Sequence, residues 1–148
     1  MLDEQEVDVA VLESDVLRRI FSGDPRYGES DRNAFYRQVI WIGVLLTRHG
    51  VPVIFDATAN RRAWRHEARR QISNFVEVFV DVPLETCIAR DPKGIYGSAA
   101  AGKASDVPGM QVAYEPPESP ELVIDGTRES PLEAATRIIA FVKRQALL

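Results

Sequence analysis

Arg90 and Lys93 stand three residues apart in the run Ala89-Arg90-Asp91-Pro92-Lys93-Gly94-Ile95-Tyr96. Guanidinium and ammonium donors at such spacing close over phosphate groups, whose oxygens accept charge-assisted hydrogen bonds. The stretch that follows, as far as Tyr114-Glu115-Pro116-Pro117, is rich in Gly, Ala and Pro and has no helical or strand period. A loop of that length inside a compact domain is a functional lid or is disordered. The stretch over about residues 92–117 therefore reads as a lid with a cationic base, although a solvated turn with charged ends fits the same residues. Two carboxylates complete the set. Asp15 and Asp56 each follow a short apolar run of strand type.

The elements that must hold these groups alternate along the chain. Val7, Val9, Val11 and Leu12 predict a first strand, and Val16 to Phe21 a short helix with Arg18 and Arg19. Ser22, Gly23, Asp24, Pro25 and Gly28 make a turn-rich segment. Ser30 is the expected N-cap of a helix from Asp31 to about His49, closed by Gly50. Its Phe35, Val39, Ile42, Leu45 and Leu46 recur at helical spacing, so one face is buried. Val51 to Phe55 is a second strand, Arg61 to Ile72 a basic helix, and Phe75 to Val80 a third strand. Pro83 starts a short helix at its first position. Beyond the lid come a fourth strand, Leu122 to Ile124, and a helix from Pro131 to about Gln145. That last helix opens on the capping box Ser130-Pro131-Leu132-Glu133. Strands alternating with helices predict parallel pairing through right-handed crossovers, an α/β fold. Ligands of such sheets sit at the carboxyl ends of the strands, where Asp15, Asp56 and the lid base near Arg90 converge.

A length of 148 residues fits one domain, 1–148, with a sizeable core. A net charge of −4 argues against nucleic acid as a partner. Cys87 is the single cysteine, which excludes a disulfide framework and a cysteine-based zinc site. The acidic start (Asp3, Glu4, Glu6) is unlike a secretory signal, and no apolar run is long enough to span a membrane; a cytoplasmic location is expected. His49 reads as a helix-end residue and gives no metal pattern with His66. Trp41 and Trp64 read as packing residues, and the Arg61 to Arg70 cluster as a solvated basic face.

Gly97-Ser98-Ala99-Ala100-Ala101-Gly102-Lys103-Ala104 comes close to a phosphate-loop motif but fails it. That motif needs a hydroxyl after the lysine for Mg²⁺, with a strand before it and a helix after it. Here Ala104 follows the lysine and Tyr96 precedes the run. No other stretch supplies a phosphate loop.

Several stretches together resemble the adenylyl-sulfate kinases, P-loop enzymes that use ATP to phosphorylate the 3′-hydroxyl of adenosine 5′-phosphosulfate. They are Phe75 to Cys87, Arg90 to Tyr96, Tyr114 to Pro117 and Pro120 to Ile124, within a similarity running from about Val7 to the C-terminus. The resemblance implies a three-layer P-loop NTPase-like fold, a parallel sheet flanked by helices, here without the usual first strand and phosphate loop. It implies ATP and Mg²⁺ as cofactors, adenosine 5′-phosphosulfate as the acceptor, and leaves room for a homodimer. Leu12-Glu13-Ser14-Asp15 matches the family's Leu-Asp-Gly-Asp, which makes Asp15 the expected general base or hydroxyl-orienting group. Arg18 and Arg32 match arginines that contact the phosphosulfate, and Tyr27 falls where a phenylalanine stacks on adenine. Arg90, Lys93 and Gly94 fall in the lid base on the ATP side. Val53 to Thr58 is similar to other small P-loop kinases, where a strand-end Asp holds Mg²⁺ through water; Asp56 is either that group or an N-cap-like residue.

The departures are specific. Glu13 and Ser14 replace Asp and Gly, Phe35 replaces a substrate-binding Asn, and Ala59-Asn60-Arg61 replaces Ser-Pro-Tyr. Ser105, Val107 and Gln111 replace the lid's usual Lys, Phe and Asp. A strand with four or five buried side chains contributes on the order of 6–15 kcal/mol, so a member lacking its first strand is expected to be poorly stable alone. The natural start is accordingly expected upstream of Met1. Two alternatives to the kinase reading stand beside it: a non-catalytic nucleotide-binding or regulatory domain, and a related small-molecule kinase with another acceptor.

Overall fold

The computed structural model describes residues 8–22 and 26–145. Val7, the acidic start, and the Gly23, Asp24 and Pro25 turn lie outside the described residues. The elements follow in the order β1 (Ala10–Glu13), α1 (Ser14–Phe21), α2 (Glu29–Arg48), β2 (Val53–Asp56), α3 (Arg62–Gln71), β3 (Val78–Asp81), α4 (Leu84–Arg90), α5 (Ile95–Ala100), β4 (Leu122–Asp125) and α6 (Pro131–Arg144).

The α/β expectation holds. β1 pairs with β2 and β3 with β4, both in parallel. A parallel pair needs a crossover of a dozen or more residues, and α1 with α2, then α4 with the lid, supply them. Among the described residues the strands form two separate two-stranded ladders rather than one continuous sheet. Register puts Glu13 beside Asp56 and Asp81 beside Asp125, so four carboxylates mark the carboxyl ends.

The core lies between the β1–β2 ladder and the helices α2 and α3. Leu12, Tyr36, Val39, Val44, Trp64 and Ala68 are buried there, with Phe55 packed against them. Tyr36 and Trp64 stack at 4.2 Å between ring centroids, and Trp64 donates its indole N–H to Asn33 at 2.8 Å. The opposite face of the ladder, Val11 and Ile54 in register, is exposed. Gly43 is the point of closest approach. A Cβ there would lie 2.1 Å from Cζ of Phe55, which explains a glycine in mid-helix despite its cost of about 1 kcal/mol. Gly43→Ala should therefore destabilise the fold by about 1–3 kcal/mol through overpacking. A denaturation midpoint equal to wild type would contradict that packing.

Several expectations need correction. α2 begins at Glu29 with Gly28 as its N-cap, because Arg32 N–H already donates to Gly28 O; Ser30 sits inside the first turn. Trp41 is 63% exposed, on an outward stripe with Leu45, so it is not a core residue. The lid is not featureless, since it contains α5. Its start is held by the Asp91 carboxylate, which accepts from the N–H groups of Gly97 and Tyr96. Those bonds, the one from Gly97 foremost, hold Asp91 below the usual carboxylate range. The near phosphate-loop motif is confirmed as no such loop, since its first residues belong to α5. The expected capping box of α6 is present: Ser130 Oγ accepts from Glu133 N–H while the Glu133 carboxylate accepts from Ser130 N–H. Among the described residues no helix is long and apolar enough to cross a membrane.

Candidate active site

β1 runs directly into α1, so the strand end fixes the direction of the helix and places Asp15 and Arg18 one turn apart. Arg18 is buried, and its guanidinium lies 3.8 Å from the ring centroid of Phe35, 5.1 Å from Tyr27 and 5.7 Å from Tyr36. It makes no ion pair with a carboxylate among the described residues. Aromatic faces attract the cation without neutralising its charge. A cavity of about 360 Å³ opens beside it, lined by Arg18, Phe21, Arg26, Asp31, Phe35 and Gln38 among others. A buried, uncompensated guanidinium bordering a cavity is suited to an anion.

Arg32 comes from the first turn of α2 and shares the Tyr27 ring with Arg18, at 6.0 Å. Burial pushes its pKa below the ordinary arginine value, and the neighbouring Arg18 charge adds to the effect. It donates through Nε to Tyr27 O at 2.8 Å, through Nη1 to Asn60 Oδ1 at 2.8 Å and through Nη2 to Asp106 O. Three of the five N–H donors of the guanidinium are thus spent inside the protein.

Asp15 meets the lid. Lys93 Nζ lies 2.5 Å from Asp15 Oδ2, and this bond raises the Lys93 pKa, with smaller contributions from Asp15's charge and from Glu13 and Asp56. Asp15, Lys93, Glu13 and Asp56 thus share one neighbourhood at the ends of β1 and β2. Arg90 stands apart and donates to Gly126 O at 2.8 Å. Gly94 holds a left-handed φ of 65° at the N-cap of α5, where it turns the chain from Lys93 into the helix. Among the described residues no group of three or more His, Cys, Asp or Glu forms a metal site.

The α3 arginines are not a uniformly solvated face. Arg65 pairs with Glu77 at 2.7 Å, with both side chains largely buried. Arg69 grips Glu121 at 2.6 Å and reaches Glu77. These pairs pin α3 to the amino-terminal ends of β3 and β4. The Arg69 hydrogen bond holds Glu121 below its usual range. A depressed carboxyl contributes stability above its unfolded pKa, about 4.3, and loses it as pH falls through the lower folded value. Glu121→Gln should therefore be less stable than wild type at neutral pH, and the gap should close below about pH 4. Urea titrations at the two pH values check this; a gap that persists in acid would contradict it.

The sequence pattern does not single out Arg26, Gln38 and Phe21, which stand in the cavity wall, or Asn60 beside Arg32. Asn60 stands out along the chain only as a departure from a family pattern, and its contacts span 28 and 53 residues.

The family model described as Adenylylsulphate kinase matches residues 1–125. An adenylyl-sulfate kinase of Synechococcus sp. (strain JA-3-3Ab) is 39% identical over 95% of this chain and 80% of its own length. A probable adenylyl-sulfate kinase of Pyrococcus abyssi is 35% identical over 99% of this chain and 84% of its own. The solved structure of the Mycobacterium tuberculosis APS kinase CysC in complex with AMPPNP and APS superposes with a TM-score of 0.88 at 31% identity, covering 96% of this chain and 84% of that one.

Proposed function

This chain belongs to the adenylyl-sulfate kinase family, and from that premise we propose that it transfers the γ-phosphoryl group of ATP to the 3′-hydroxyl of adenosine 5′-phosphosulfate. The products are 3′-phosphoadenosine 5′-phosphosulfate and ADP. The observation that carries the reading is the buried Arg18 guanidinium, without an ion-pair partner among the described residues and bordering a cavity one helical turn from Asp15.

Arg18 meets the charge of the phosphosulfate, and the donors of Arg32 not spent inside the protein supplement it. Tyr27 offers its exposed ring to the adenine. Asp15 accepts the 3′-hydroxyl proton or orients that hydroxyl, which is what phosphoryl transfer asks of a protein: position and charge. Its bond to Lys93 brings the lid base within reach of the same hydroxyl, so Lys93 can follow the transferred phosphoryl group. Arg90 and Gly94 belong to the nucleotide side of the lid. The donor set fits Mg²⁺ bound through few protein ligands, since Mg²⁺ is held by one or two carboxylates with substrate phosphates and water; Asp56 would hold it through water. The ion, when bound, neutralises charge on the phosphates.

Incubation of the chain with ATP, Mg²⁺ and adenosine 5′-phosphosulfate, followed by phosphorus NMR, tests the proposal. A new phosphomonoester on the 3′ carbon, formed with an equal amount of ADP, is expected. ADP release that does not depend on the acceptor, or no product at all, would overturn it.

A further inference from the structure

Asn60 is 4% exposed, yet every polar group of its side chain is used on a different element. Its Oδ1 accepts from Arg32 Nη1 at 2.8 Å, and its Nδ2 donates to Ala113 O at 2.8 Å. A guanidinium only donates and a carbonyl only accepts, so the partners fix which way the amide points. The Asn60 carbonyl also accepts from Glu115 N–H at 2.8 Å. One residue thus joins the acceptor-site arginine to the far end of the lid, and Arg32 reaches the same lid directly at Asp106 O.

The backbone that presents Asn60 is held in a costly conformation. Ala59 has a φ of 39°, in the left-handed region that a residue with a Cβ rarely adopts. Such conformations persist where surrounding contacts over-determine them, and they cluster at functional sites. The contacts are present. Ala59 N–H donates to Tyr36 Oη at 2.9 Å, and the Ala59 carbonyl accepts from Arg65. Arg65 also donates to Glu115 O at 2.5 Å, and Glu115 Oε2 accepts from Arg62 N–H at 2.7 Å. The loop after β2 and lid residues 113–115 form one hydrogen-bonded clasp with Asn60 at its centre.

We propose that Asn60 is a positioning residue that couples Arg32 to the lid, so that anion binding at the arginine and ordering of residues 104–115 reinforce each other. The proposal rests on the reading of Arg32 as part of the acceptor site. An anion drawing on Arg32 fixes the guanidinium plane, this fixes the amide, and the amide holds Ala113. Asn60 itself need not touch the acceptor. Removing its amide leaves a buried guanidinium donor and a lid carbonyl without partners, which loosens both ends together.

Hydrogen exchange of the whole chain, with and without adenosine 5′-phosphosulfate, tests this alongside steady-state kinetics. In Asn60→Ala, amides of residues 104–115 should exchange about tenfold faster than in wild type. The acceptor KM should rise about ten- to a hundredfold, while the ATP KM stays within about twofold. The lid protection that the acceptor adds in wild type should be lost. Asn60→Asp keeps an acceptor for Arg32 but sets a carboxylate against Ala113 O. It should loosen the lid as Asn60→Ala does, and it carries the same readouts if the alanine variant does not fold. Lid exchange and acceptor KM both equal to wild type, or loosening spread equally through α3 and the core, would overturn the coupling. If wild type binds no acceptor by calorimetry, the acceptor-site reading fails and the coupling to acceptor with it; the clasp as such is then judged by apo lid exchange alone.

Discussion

Asp15→Asn should lower kcat by about a hundred- to ten-thousandfold, the range that a positioned proton acceptor contributes, and leave the fold intact. The amide keeps the shape of the side chain and its reach, but it cannot take a proton from the ribose hydroxyl. The cost to stability is small because the Asp15–Lys93 pair is exposed, at 44% and 62% of the two side chains. Pairs of that kind contribute about 0–1 kcal/mol. The KM values for both substrates should move far less than kcat, since the lost interaction matters chiefly in the transition state. Steady-state kinetics and a urea titration of the same preparation check both halves. Retained turnover would remove Asp15 from its role, and a collapsed midpoint would mark it as a structural residue instead.

Arg18→Met should likewise spare stability, with the loss falling on acceptor binding rather than on turnover. The methionine fills much of the arginine's apolar volume between Phe35 and Tyr27 but carries no charge. Truncating one partner of a buried, hydrogen-bonded charge pair costs about 2–5 kcal/mol, so acceptor affinity should fall by about thirtyfold to several thousandfold. Folding stability should change by no more than about 1 kcal/mol. Loss of the guanidinium–ring contacts, about 0.5–2 kcal/mol, is offset by relief of the repulsion between Arg18 and Arg32. Calorimetric titration with adenosine 5′-phosphosulfate beside a thermal melt reads both quantities. An acceptor affinity within twofold of wild type would contradict the assignment.

Much of this site is legible in the amino-acid sequence, for reasons that differ by residue. Asp15 closes the first apolar run and Arg18 stands in the short helical stretch after it, so local pattern places one at a strand end and the other on the next element. That α1 starts at Ser14 and carries both shows only in the fold. The capping box of α6 and the helix-ending, left-handed Gly50 are likewise short-range signals. Contacts that depend on distant segments are not. Nothing in the spacing of the α3 arginines shows that Arg65 and Arg69 reach Glu77 and Glu121, because those carboxylates arrive by way of β3 and the end of the lid. The lid helix α5 is hidden by its composition of small residues. It is stabilised by Asp91, a carboxylate before the helix rather than an apolar period within it. Phe35 stands where an asparagine would be expected to touch substrate. Its ring instead lies under Arg18, a substitution whose purpose shows only when the two side chains are brought together by the fold. Trp41 shows the reverse error, since apolar character predicts burial and the helix turns it outward.

Everything depends on Arg18 facing the acceptor's anionic tail while Asp15 faces its ribose. A crystal structure of this chain with adenosine 5′-phosphosulfate tests that most directly. The phosphosulfate is expected in the cavity beside Arg18, and the 3′-hydroxyl within about 3 Å of the Asp15 carboxylate. An acceptor bound with its phosphosulfate away from Arg18, or with the 3′-hydroxyl out of reach of Asp15, would contradict both assignments.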